Sequence, residues 1–453
     1  MLHIRWLFWF FLTSADAGLL QQPAGALITK LNDGLDMPMV GLGTWRVKPN
    51  ETEEAVLYAI CGAGYRHIDA AQIYHNQREV GAGLRRAYKE CGAKREQIWL
   101  TSKIWYTDFH PDDVPAAVDR IIDELGSDYV DQILLHWPTP VKKPPAGCPP
   151  DCPVEFAGTD DPERPRDAYG QLVHSEIPLR LTWMALEKVR ATGKVKSIGV
   201  SNFDPEDVLS MILDDAGNER EGAIKPAVNQ VECHVFWNQE YFIASHQSFD
   251  IQVVAYSPLG NPERWPDGQN VSTGLHSEFM KEIAAEAKQT PAQVMLNFLL
   301  LQNVVVIPKS ITPERIMENI RFGVGLTSHV NQRLMNEAPQ MRLNNPNNRP
   351  GGKPVFDDAW IEQVKEQDTM HVHTPTKEDI AYHRNLQKMK LRAEREKKLD
   401  GILTKFQEAT GQDLGDRQTV INEILEDAEK GGGLTKVSGS TVPKRWQGEN
   451  YDL

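Results

Sequence analysis

Long hydrophobic runs are scarce in this chain. A membrane-crossing helix needs roughly 20 apolar residues, and the run Trp6 to Leu12 falls well short of that. Positive charge is also in deficit, with 49 Lys and Arg against 63 Asp and Glu, for a formal net charge of -14. Nucleic acid needs a clustered positive surface, so it is excluded as a partner class. Cysteine is rare as well, and five in 453 residues do not make a disulfide scaffold. Cys148 and Cys152, in CPPDC, could pair in an oxidising compartment but lack the second His or Cys pair of a zinc site, so they read as a plain loop and no metal is implied. Cys61, Cys91 and Cys233 read as small buried residues. Finally, no GxGxxG follows the first strand candidate, and Gly81-Ala82-Gly83 lies inside a helix candidate, which disfavours a doubly wound nucleotide fold.

What is present is 40% hydrophobic residues in a chain longer than one ordinary domain, enough for a large core plus something less compact. Ala26 to Val40 shows two short apolar runs around Asn32-Asp33-Gly34, a hairpin signal. One pattern then recurs: a strand-length apolar run, a turn with a polar or small residue, and a segment with helical spacing. The runs are Met39 to Gly43, Arg66 to Asp69, Gln97 to Lys103, Asp131 to His136, Ser197 to Asn202, Ala227 to Gln230, Gln252 to Ser257 and Val304 to Lys309. Helices are expected at Glu51 to Gly62, Val80 to Cys91, Asp112 to Leu125, Arg180 to Thr192, Pro205 to Asp214, Gln239 to His246 and Ser277 to Lys288. Eight such units, joined by right-handed crossovers, predict an α/β fold closed as a (β/α)8 TIM barrel with an N-terminal β-hairpin.

In such a barrel the C-terminal ends of the strands face the active site. Asp69, Lys103, His136, Ser201 with Asn202, Gln230, Tyr256 with Ser257, and Lys309 with Ser310 all fall there. The stretch GYRHIDAAQIYHNQREVG adds Tyr74 on an exposed turn directly after Asp69. A tyrosine is a poor acid at neutral pH, but a neighbouring ammonium favours its ionised form, and Lys103 can supply that charge. Asp69 would hold Lys103 in place, and His136 could hydrogen-bond a substrate oxygen. Together they form a general acid aimed at a polarised carbonyl. None of the four is a reductant, so a cofactor must bring the electrons.

The stretches MPMVGLGTW, GYRHIDAAQIYHNQREVG, LTSKIW, DYVDQILLHWP, IGVSNF, AVNQVECH, VVAYSPLG and VIPKSITPERIMEN occur in that order, and by them the chain resembles the aldo-keto reductase superfamily over residues 26 to 345. The resemblance implies an NADP-dependent oxidoreductase that reduces an aldehyde or ketone, with Tyr74 as proton donor, Lys103 and Asp69 as its tuning pair, and His136 orienting the carbonyl. It also implies that Ser201, Asn202 and Gln230 hold the nicotinamide carboxamide and that Tyr256 stacks on the ring. Ser257 and Leu259 match the pyrophosphate path, whereas Asn261 and Glu263 depart from the usual Ser and Asp. Lys309, Ser310, Thr312 and Arg315 match a phosphate site at a helix start, where two cations suit NADPH over NADH. Glu318 and Asn319 match adenine contacts. Trp45, Trp105 and Trp137 match the lining of an apolar substrate cleft. Gln77 stands where the family has Glu. The expected substrate is a small-molecule carbonyl and the expected state a monomer; a non-catalytic NADPH-binding barrel serving as a regulatory or partner-binding subunit is the alternative.

Thr139 to Pro178 forms a long Pro-rich and charged loop, expected on the active-site face, where it shapes access. Residues 1-17, with Arg5, an apolar run and Ala15-Asp16-Ala17, read as a signal for the secretory pathway, against the cytoplasmic family default. Sequons at Asn50 and Asn270 matter only in that pathway. A breaker-rich linker at 346-358 leads to an extension, 359-453, partly helical and partly disordered. Its basic run His383 to Lys398 could serve a membrane surface or a protein partner.

Overall fold

The computed structural model describes residues 27-214, 218-260, 274-321 and 325-340. The signal segment, the Asn270 sequon, Asn261 and Glu263, the linker and the C-terminal extension lie outside the described residues. The chain divides into two units, the first comprising Met1–Met211 and Ile224–Thr374 and the second Ile212–Ala223 and Pro375–Leu453. Within the second, Leu213 and Glu219 form an antiparallel bridge.

A two-stranded antiparallel hairpin, β1 (Ile28–Lys30) and β2 (Asp36–Pro38), comes first, turning through Gly34 at φ 85°. Eight strands follow: β3 (Leu42–Gly43), β4 (His67–Asp69), β5 (Trp99–Ile104), β6 (Val130–Leu135), β7 (Val195–Ser201), β8 (Val228–Glu232), β9 (Gln252–Tyr256) and β10 (Val305–Val306). Each pairs in parallel with the next in sequence. A parallel bridge from Val40 to Val306 joins the first of these strands to the last, with Gly41 N donating to Val306 O at 2.9 Å, and so closes the barrel. The seam is tight. A Cβ on Gly43 would lie 2.8 Å from the Ile307 carbonyl oxygen, so only glycine allows that approach.

The strands follow from burial on both faces. Every residue of β5 and β6 is buried, which explains uninterrupted apolar runs in place of alternation. The hairpin covers the N-terminal end of the barrel: Thr29 Oγ1 donates to Gln252 Oε1 at 2.9 Å and Asn32 Nδ2 to Pro226 O at 2.9 Å. The mouth opposite the hairpin is the one at the C-terminal strand ends, where Asp69 closes β4 and His136 follows β6.

Each of the seven expected helices is present, at Pro49–Leu57 continuing into a π-helical turn Tyr58–Gly62, then Gln77–Glu90, Val114–Leu125, Leu179–Ala191, Pro205–Ile212, Glu240–Ser248 and Glu278–Ala287. A further helix, Pro291–Leu301, has no amphipathic stripe because Ala292 and Val294 through Leu300 are all buried. It opens with a capping box between Thr290 and Gln293.

Two cysteine expectations are corrected. Cys61 and Cys91 are exposed, not buried, and form a disulfide that ties the π-helical turn to the end of the helix Gln77–Glu90. Side chains 30 residues apart meet because those two helical segments pack side by side. Cys148 and Cys152 also pair, so CPPDC is a closed ring instead of a plain loop. Cys233 is free and buried, as expected.

Candidate active site

The site begins where β4 runs out. Asp69 ends that strand at 2% exposure, and Ala70 and Ala71 lead into a 3-10 turn, Gln72–Tyr74. Asn76 fixes the turn from below, its Nδ2 donating to Thr44 O at 2.9 Å and Val47 O at 3.0 Å. Gln72 fixes it from the side: its Nε2 donates to Asp108 Oδ2 at 2.8 Å and its Oε1 accepts from Trp105 N at 3.3 Å. Tyr74 is thus presented by a turn that is itself clamped.

Lys103, on the adjacent β5, is fully buried beneath it. Its Nζ donates to Asp69 Oδ1 at 2.6 Å, Ala70 O at 3.0 Å and Tyr74 Oη at 3.2 Å. An ammonium has three hydrogens, and this geometry engages all three. The second Asp69 oxygen accepts from Gln230 Nε2 at 2.7 Å. Burial pulls the Lys103 pKa down while Asp69 pushes it back up.

The electrostatics of Tyr74 correct the sequence expectation. Its pKa is raised well above the usual value, first by burial and then by the charge of Asp69, so the nearby ammonium does not win. Tyr74 is therefore a protonated phenol, and Lys103 stands where a phenolate would need a counter-charge. His136, just past β6, is buried, and burial followed by the charge of Lys103 holds its pKa well below the ordinary value. The ring is neutral. It stands edge-on to Tyr74 with centroids 5.8 Å apart, and its Nδ1 is buried without a hydrogen-bond partner among the described residues.

One cavity of about 930 Å³ opens at this mouth. Asp69, Tyr74 and His136 line it, together with Trp45, Trp105 and Trp137. Asn202, Gln230, Tyr256, Ser257 and Leu259 continue the wall, and Lys309, Ser310, Thr312, Arg315, Glu318 and Asn319 complete it. Lys103 and Ser201 stand behind the wall, Lys103 beneath Tyr74 and Ser201 with its Oγ donating to Gln230 O at 2.8 Å. Asn202, at φ 66°, is knotted into the same network. Its Nδ2 donates to His136 O at 3.0 Å and its Oδ1 accepts from Tyr256 Oη at 2.9 Å. A non-glycine residue held in the left-handed region is strain sustained by its surroundings.

Gln77 lies outside the cavity and does a separate job. Its Oε1 accepts from Ser102 Oγ at 2.5 Å and its Nε2 donates to Glu124 Oε2 at 2.7 Å. A glutamate there would set two carboxylates against each other, so the amide suits this neighbour.

Of the lining residues that escaped the sequence reading, two are arginines. Arg164 and Arg166, from the loop between β6 and the helix Leu179–Ala191, reach the cavity wall. The loop was expected to shape access, but nothing periodic in TDDPERPRD marks which charges turn inward.

The family model for the aldo/keto reductase family matches residues 39-335. A chicken protein named aldo-keto reductase family 1 member A1 is 36% identical over 352 residues, covering 74% of this chain and 96% of that protein. Its human namesake is 36% identical over 296 residues, 64% of this chain and 82% of that protein. Among solved structures, the aldose reductase of Schistosoma japonicum superposes with a TM-score of 0.62 at 34% identity, over 73% of this chain and 98% of that one.

Proposed function

Because the chain belongs to the aldo/keto reductase family and is an oxidoreductase of carbonyl compounds, we propose that it draws hydride from NADPH to reduce an aldehyde or ketone, with Tyr74 as general acid. The observation that carries this reading is the pairing of a protonated Tyr74 and a neutral His136 at one wall of the cavity, above a fully engaged Lys103.

The cavity fits the cofactor. Its volume admits a dinucleotide with a small substrate, and Lys309 and Arg315 stand with Ser310 and Thr312 around the start of the helix Pro313–Ile320, a donor set suited to phosphate. Tyr256 would stack on the nicotinamide, Asn202 and Gln230 would hold its carboxamide, Ser257 and Leu259 would follow the pyrophosphate, and Glu318 and Asn319 would meet the adenine. Ser201 would act through Gln230. Bound NADPH supplies the hydride. His136 donates a ring N-H to the carbonyl oxygen and orients it. Tyr74 Oη passes its proton to that oxygen as negative charge builds there, and Lys103 stabilises the phenolate left behind. Asp69 keeps Lys103 charged. The three tryptophans exclude water from the reacting end.

Mixing the purified protein with NADPH and a panel of aldehydes tests the reading. Absorbance should fall at 340 nm (the usual NADPH band); cofactor binding without absorbance loss on any substrate would sink it.

We further propose that the protein acts as a monomer in the secretory pathway. The disulfides Cys61–Cys91 and Cys148–Cys152 support an oxidising compartment, and Asn50 of the first sequon is exposed. Full-length protein from secretory cells should carry a glycosidase-sensitive glycan and alkylate only at Cys233 after denaturation. Recovery from the cytosol with all cysteines reactive would overturn this.

A further inference from the structure

A second buried carboxylate stands behind the turn that carries Tyr74, and the chemistry above gives it no task. Asp108 closes the 3-10 turn Tyr106–Asp108, directly after Trp105, at 2% exposure. A carboxylate taken out of water is costly unless donors meet its oxygens. Three do: Oδ2 accepts from an Arg120 guanidinium nitrogen at 2.6 Å and from Gln72 Nε2 at 2.8 Å, and Oδ1 accepts from Lys143 Nζ at 2.6 Å. Burial works to raise the Asp108 pKa, but the hydrogen bonds from Lys143 and Gln72 and the charge of Arg120 outweigh it and hold the group below its ordinary value. Asp108 is therefore an anion at neutral pH. Arg120 and Lys143 are half exposed and balance that charge from the solvent side. Gln72 leads the other way, into the site.

Gln72 opens the turn Gln72–Tyr74, and main-chain support there is thin. Tyr74 N donates to Ala71 O at 3.1 Å and His75 N to Gln72 O at 3.3 Å. The direction of the phenol therefore comes from side-chain clamps. One segment grips the Gln72 amide at both ends, since its Oε1 accepts from Trp105 N and its Nε2 donates to Asp108. An amide can turn end for end, but the Trp105 N-H only donates and an ionised carboxylate only accepts, so the reversed amide would lose both bonds. The charge of Asp108 thus leaves Gln72 one orientation. Tyr74 Oη has little slack to absorb a shift, because its 3.2 Å from Lys103 Nζ is already at the long end of a hydrogen bond.

We propose that Asp108 is a positioning residue for the reduction: by fixing the Gln72 amide it holds the turn that aims Tyr74 Oη at the carbonyl oxygen, an inference that rests on the reductase reading. Neither Asp108 nor Gln72 lines the cavity, so their loss belongs in kcat and not in the affinity for NADPH. A displacement of about 1 Å in a reacting group can cost about a hundredfold in rate.

The test uses the full-length protein, NADPH and 4-nitrobenzaldehyde, which carries no net charge. Asp108→Asn keeps the volume but lets the Gln72 amide pair in either orientation. It should lower kcat by about ten- to a hundredfold and leave the NADPH Kd, read from tryptophan fluorescence quenching, within about twofold. Gln72→Leu should do the same, and the two together should lower kcat no further than the worse single variant, because both break one hydrogen bond. If Asp108→Asn does not fold, Asp108→Ser takes its place with the same readouts. A kcat within about twofold of wild type, losses that multiply in the double variant, or an NADPH affinity that falls in step with kcat overturns the proposal. No NADPH consumption by the wild type on any aldehyde would refute the reductase reading instead. Nitration by tetranitromethane, mapped by mass spectrometry, then decides the positioning: Asp108→Asn should speed nitration of Tyr74 relative to the buried Tyr65, whose Oη donates to Ile316 O, and an unchanged ratio overturns the proposal.

Discussion

Lys103 and Asp69 stand at 0% and 2% side-chain exposure, whereas Arg164 and Asp161, across the same cavity mouth, stand at 42% and 35%. The first pair belongs to the barrel and the second to the loop between β6 and the helix Leu179–Ala191. Charges taken out of water are costly unless every partner is present, so the barrel pair fails as a unit when one member is removed. Charges that keep much of their water interact weakly and can be exchanged one at a time. The barrel pair thus stands on a foundation that tolerates no change and the loop pair on one that tolerates much. On the proposed function, substrate choice drifts at the loop without disturbing Tyr74.

Tyr74→Phe gives the largest expected effect. It should lower kcat by about a thousandfold while leaving NADPH affinity nearly unchanged. Retained turnover would place the proton donor elsewhere and erase the contrast between the two regions. Lys103→Met should destabilise the fold by about 3–5 kcal/mol in urea unfolding, because Asp69 is left buried without its cation. Adding Asp69→Asn should recover part of that loss, and no recovery would show that the pair is not a unit.

Acid probes the barrel side as well. Burial pushes both His67 and His246 down to about 4 in the folded protein, so the unfolded chain binds more protons between that value and its own of about 6.5. Their contribution is complete above pH 6.5 and is lost as pH falls toward 4, on the order of a few kcal/mol in all. Asp207, pushed up to about 7 by burial and then by Asp204, offsets part of this. The melting temperature should fall across that window; a flat profile would contradict the buried neutral state of the two rings.

The disulfides extend the comparison. Cys61–Cys91 spans 30 residues across two barrel helices and Cys148–Cys152 spans 4 within the loop. Loop-closure entropy makes the first worth roughly 3–4 kcal/mol and the second about half of that. Cys61→Ser should lower the melting temperature by more than Cys148→Ser does; the reverse order would mean that the loop is the better anchored region. The smallest effect is expected from Glu163→Ala, which releases one half-exposed contact to His75 and should raise KM for a carbonyl substrate by about two- to fivefold with little change in melting temperature.

The same division governs what could be read in advance. Strands buried on both faces show as unbroken apolar runs, and a polar residue closing such a run, as Asp69, Lys103 and His136 do, stands out. Pro291–Leu301 is also buried all round, and there the same property hid a helix, since no stripe distinguishes it. Arg164 and Arg166 were illegible because an irregular loop has no period to say which side chain turns inward. The pairing of Cys61 with Cys91 depends on how two helical segments pack, which local sequence does not encode. Tyr74 lines the cavity where the motif put it, but the sign of its pKa shift was not foreseen, because neighbour charges can be inferred from a motif while desolvation needs the whole surrounding shell.

The three donations from Lys103 carry one more consequence. An ammonium with an acceptor on every hydrogen has no orientation left to search, so it responds to a change of charge on Tyr74 without turning. In water, the same change would require many dipoles to swing round. Here the reorganisation energy is small because the dipoles took up their final directions when the chain folded, before any substrate arrived.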